Sequence, residues 1–90
     1  MGPAPIAAQD VQAALAEITS QTTEQIEGAT AVKWGARALA AWQLAQQPGG
    51  GIDLHWFREA TSYKHEALEH AAWGPIGLLD RIRAQLVGVP

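Results

Sequence analysis

The stretch Ala36-Arg37-Ala38-Leu39-Ala40-Ala41-Trp42-Gln43-Leu44-Ala45-Gln46-Gln47-Pro48-Gly49-Gly50-Gly51-Ile52-Asp53 decides the fold. Its first ten residues are strong helix formers with little β-branching. Pro48-Gly49-Gly50-Gly51 cannot continue a helix and reads as a tight connector. Asp53 then offers a side-chain oxygen to the first turn of a second helix. A helix, a sharp turn and a capped helix make a helical hairpin.

Working outward, the remaining breakers fall in groups. Pro3 and Pro5 open the chain, Gly74-Pro75 comes late, and Gly88 and Pro90 close it. They leave three helical stretches at about 7–47, 53–73 and 75–87, with the connector at 48–52. No alternation of strand period interrupts them. The expectation is an all-α protein, a single small helical domain spanning 1–90, with one long helix and two shorter ones.

The first stretch changes character along its length. Val11, Leu15, Ile18, Thr22, Ile26 and Ala29 follow helical spacing on one narrow face. Beyond Gly28 a second stripe, Trp34, Ala38, Ala41 and Ala45, is rotated by more than a quarter turn. The Thr/Ser patch around residues 19–23, with Thr22-x-x-Gln25 as a capping box, allows a break between residues 20 and 28. The absence of proline there, and the order of acids before bases along the axis, favour one continuous helix. In the second stretch Trp56, Phe57, Ala60, Tyr63, Ala67, Leu68 and Ala71 form an apolar arc. Lys64 falls inside it, a position that requires its stem to lie flat and its amine to reach water. The third stretch starts with Pro75, a favoured first-turn residue, and turns Leu79, Ile82 and Leu86 to one face.

Ninety residues bury only a modest core. A 40-residue helix is about 60 Å long, against a radius of gyration of about 12 Å for a compact chain of this size. The second half of the first helix is apolar nearly all round, and two shorter helices cannot surround it. The surplus implies other copies of the chain or a larger partner. Four Trp in so short a chain point the same way, because Trp is enriched where proteins meet. The candidate interface residues are Trp34, Trp42, Trp56 and Trp73, with Ala38, Ala41 and Ala45 allowing close approach.

Chemistry is sparse. There is no cysteine, which excludes disulfides, thiolate metal sites and a thiol nucleophile. No serine sits in a nucleophile elbow, and the Gly-rich connector lacks the Lys and hydroxyl of a phosphate loop. A net charge of −3, with basic residues only in small groups, argues against nucleic acid. No apolar run is long enough to span a bilayer, and no secretory signal is evident. One constellation remains: His55, Glu59, Glu66 and His70 lie within about 60° of one another on the second helix. His55/Glu59 and Glu66/His70 are i, i+4 pairs that can offer two ligands each to a metal, with Glu24, Glu27 or the same helix of a second copy completing a site. The same spacing also makes simple ion pairs on a solvated face. The Glu-x-x-His spacing of helical di-iron carboxylate proteins is absent.

Residues Phe57-Arg58-Glu59-Ala60-Thr61-Ser62-Tyr63-Lys64-His65-Glu66-Ala67-Leu68 resemble the second helix of a tetratricopeptide repeat, in a single copy and with Lys64 in place of the usual aromatic. The resemblance implies a packed helical hairpin.

Together these features predict a non-enzymatic structural or assembly subunit with no cofactor. It would act as a homo-oligomer or within a larger protein assembly, in the cytoplasm or as a minor component of a virus particle. Two other readings stand beside it: a metal-binding bundle using the His/Glu stripe, and a small adaptor holding a partner helix in a groove.

Overall fold

The computed structural model describes residues 7–90, with the side chains of 18–21 outside the description. Three helices follow one another: α1 (Ala8–Ala45), α2 (Leu54–Ala72) and α3 (Leu78–Gln85). Among the described residues there is no named strand. The protein is all-α, a small helical bundle with a long first helix.

The helix α1 is one element of 38 residues, about 57 Å long, so residues 20–28 lie within it and Thr22 to Gln25 do not start a new helix. It ends at Ala45, two residues short of the sequence boundary. Gln46 instead forms an antiparallel bridge with Ile52 across the connector. The Gln47 N–H donates to the Gly51 carbonyl at 2.8 Å and the Asp53 N–H to that of Ala45 at 2.8 Å. Gly49 and Gly50, at φ of 89° and 94°, supply the left-handed backbone this reversal requires. The Asp53 side chain accepts from the Trp56 N–H at 3.1 Å and caps α2.

Gly28, where the sequence pattern shifts, marks the level at which the chain leaving α2 crosses α1. A Cβ on Gly28 would stand 3.0 Å from Cδ of Pro75, and one on Gly74 would stand 3.3 Å from Cα of Gly28. The two glycines let the backbones touch. Their contact corrects the start of the third helix. Pro75 is turned against α1 instead of opening α3, the Leu78 N–H closes a turn onto the Pro75 carbonyl, and α3 begins only after Gly77, at φ 90°. It ends at Gln85, and residues 86–88 form a turn.

From there α3 runs back along the groove between α1 and α2. Its first residues meet Gly28, and Ile82 Cδ1 lies 3.9 Å from where a Cβ on Gly35 would be. The core is made of small residues on the two long helices, Ala31, Ala38 and Ala41 against Ala60, Ala67 and Ala71, sealed by Ile82, Leu86 and Val89. Alanine seams let helix axes approach closely, and the larger α3 residues fill the furrow alongside. Lys64 is half-buried within the apolar arc, and its amine donates to the Val89 carbonyl at 2.6 Å. The chain's last turn is thereby fastened to α2.

Because α2 covers only the C-terminal half of α1, the molecule is elongated. Its radius of gyration is 20.1 Å and its principal extents are 80 × 19 × 15 Å.

Candidate interaction surface

The candidate interface residues separate into three groups. Ala38, Ala41 and Ala45 are buried within the chain and serve the close approach of α2, which leaves them no area for a second molecule. Trp34, Trp42 and Trp56 are half-buried and pack on the chain's own core. The Trp34 indole lies between the Arg37 guanidinium, 4.9 Å from its centre, and the Tyr63 ring at 5.4 Å. Trp42 meets Phe57 edge-on at 6.1 Å. Trp73 alone is outward, 75% exposed at the end of α2. Three indoles therefore spend most of their apolar surface on the hairpin, since a hairpin with an alanine seam needs large residues at its margins to exclude water.

The larger exposed surface lies on α1. Val11, Leu15 and Ile26 point to solvent where α1 extends beyond α2, and Val32, Leu39 and Leu44 do so on the outer face of the hairpin. Spaced by alternate steps of four and three, Val11, Leu15, Thr22, Gln25, Ala29, Val32, Ala36, Leu39 and Gln43 form one line along the helix, all of them exposed. Ile18 falls in the same register, with its side chain outside the described residues. The α2-facing stripe (Gly28, Ala31, Gly35, Ala38, Trp42, Ala45) follows the same steps displaced by one residue, about 100° around the axis. Sequence reading follows this line as far as Ala29, with Ile26 in place of Gln25, and loses it where the alanine stripe begins. The signal that would have continued it is the unbroken four-three spacing through Val32, Ala36 and Leu39.

Acidic and imidazole groups collect where α1 leaves the hairpin. His70 Nδ1 lies 2.5 Å from Glu27 Oε2 on α1, and its Nε2 lies 3.6 Å from Glu66 Oε2 on the preceding turn of α2. The Glu27 hydrogen bond, with the charges of Glu27, Glu66 and Glu69, raises the His70 pKa above its usual value against the opposing effect of burial. An open depression of about 400 Å³, lined by Glu27, Glu69, His70, Ala72 and Trp73, adjoins it.

Of the four stripe residues, the structure joins only Glu66 and His70. His55, near the start of α2, rests edge-on against Trp56 at 4.9 Å between ring centres. The Tyr63 hydroxyl donates to the Glu59 carboxylate, which raises the phenol's pKa. His65 pairs with Glu69 at 3.3 Å. Among the described residues no three His, Asp or Glu side chains are grouped to hold a metal ion, and the His55/Glu59 and Glu66/His70 pairs stay separate. The reason is distance along the helix: His55 and His70 share a face but sit four turns apart, about 22 Å.

No helix of the described residues is long and apolar enough to cross a membrane. No protein-family model, curated protein or solved structure matches this chain.

Proposed function

We propose that this chain is a non-enzymatic assembly subunit that works by presenting the outer face of α1 to other protein, as a component of a virus particle or of another large complex. The observation that carries the reading is the exposed line from Val11 to Leu39, with Val11, Leu15, Val32 and Leu39 between 40% and 58% exposed. Single exposed apolar residues are ordinary, but apolar residues recurring in one line along a helix, here on both sides of Thr22 and Gln25, are the pattern of an interaction surface.

The N-terminal half of α1 adds to this. Its described side chains from Ala8 to Glu17 are all exposed, and in proteins most of a helix's stability comes from packing an apolar face. The hairpin beside it supplies a rigid base, with its own core closed by α3. The depression beside His70 favours the adaptor reading less well, because it is short and one of its walls is charged.

The test is the mass of the chain in a gentle extract of its native source, measured by gel filtration with light scattering and antibody detection. An assembly subunit elutes well above the 9.6 kDa of the free chain. Elution as a free monomer at its natural concentration ends the reading.

A further inference from the structure

The partner of the α1 seam can be named on the assumption that the assembly role holds. We infer that two copies of this chain pair through their α1 helices, antiparallel, with the exposed N-terminal half of each lying along the outer face of the other's hairpin.

Four observations converge on this arrangement. The alternate four-three spacing from Val11 to Gln43 is the a/d period of a two-stranded coiled coil. When the two helices run in opposite directions about the level of Glu27, the seam complements itself in one register. Leu15 then faces Leu39 of the second copy, Val11 faces Gln43, and Gln25 faces Ala29. Each pair joins an a position to a d position, as antiparallel packing demands. Charge selects the same direction. The N-terminal half of α1 carries Asp10, Glu17, Glu24 and Glu27 with no base, and the C-terminal half carries Lys33 and Arg37 with no acid. Parallel pairing sets acids level with acids, whereas antiparallel pairing sets the acidic half against the basic half.

The lengths also match. The part of α1 on the N-terminal side of the Glu27–His70 contact, residues 8–26, is as long as the part from Glu27 to its end, 27–45. Antiparallel pairing about Glu27 therefore places the first part of each copy beside the second part of the other. A strip about 50 Å long and 10 Å wide on each copy removes about 1,000 Å² in total, the size at which specific interfaces begin.

The chain contains no cysteine, so two single substitutions report the geometry. Leu15→Cys and Leu39→Cys are made in the full chain, refolded separately and as an equal mixture, and oxidised. In the antiparallel pair two copies of position 15 stand about 36 Å apart, far beyond the roughly 7 Å a disulfide can bridge. The expected result is a cross-linked dimer from the mixture and almost none from either variant alone. Sedimentation of the wild type at micromolar concentration gives twice the chain mass, and Leu39→Glu returns it to the monomer with its helical circular dichroism retained. Self-cross-linking of either variant overturns the antiparallel geometry. A purified wild type that stays monomeric overturns the self-pairing. If the native extract then still holds the chain in a larger complex, another protein covers the seam and the assembly role survives. A monomer in both experiments removes both.

Discussion

Glu27 and His70 stand 43 positions apart in the sequence and meet at 2.5 Å between Oε2 and Nδ1. The contact ties α1 to the last turn of α2 at the level where α1 leaves the hairpin. Glu66, by contrast, approaches the imidazole from its own helix, at 3.6 Å from Nε2.

Stability should therefore fall as pH rises past about 6.5. The folded-state pKa of His70 is raised. Its contribution is full below the unfolded value of about 6.5 and is lost as pH rises through the higher folded value. Melting temperatures measured from pH 5.5 to 8.5 are expected to decline across that window in the wild type and to stay flatter in His70→Gln. Equal slopes in the two proteins would show that the pair does not contribute.

Gly28 and Gly35 lie on the same face of α1 and should respond to alanine with opposite signs. Both substitutions gain about 1 kcal/mol of helix propensity. At Gly35 the new methyl makes an ordinary contact with Ile82 at 3.9 Å, so a net stabilisation is expected. At Gly28 it meets the stiff Pro75 ring at 3.0 Å, and overpacking of this kind costs about 1–3 kcal/mol. Urea midpoints of the two variants decide the matter, and a stabilised Gly28→Ala would contradict the close crossing.

Two leucines separate folding from assembly. Leu86 is fully buried under α3, and Leu86→Ala is expected to cost about 2–5 kcal/mol in denaturant unfolding. Leu15 is 58% exposed, and Leu15→Ala should change the stability of the dilute monomer by no more than about 0.5 kcal/mol while weakening association. A Leu15→Ala monomer that is itself strongly destabilised would mean that its side chain packs within the chain.

The Asp53 cap and the Lys64 tether give local readouts. Asp53→Ala should cost about 1 kcal/mol and fray the first turn of α2. Lys64→Met keeps the apolar stem but removes the donor to the Val89 carbonyl, so amide exchange in residues 86–89 should accelerate while the centre of α2 remains protected. Unchanged exchange at the C-terminus would mean that burial of Leu86 and Val89 holds that turn unaided.

The three helices, the Asp53 cap and the glycine connector could be read from the sequence because they depend on local chemistry: propensity, capping and backbone freedom act within a few residues. The outer line of α1 was legible only as far as Ala29. Past Gly28 two seams overlap on one helix, and periodicity alone cannot say which one α2 takes. Tertiary packing decided that α2 takes the alanine seam, where small side chains admit a close neighbour, and left Val32, Ala36 and Leu39 outside. It also placed Pro75 against Gly28, Lys64 on the Val89 carbonyl and Glu27 beside His70. Each of these joins residues far apart along the chain, and their meeting depends on how the helices cross, which spacing along one helix does not encode.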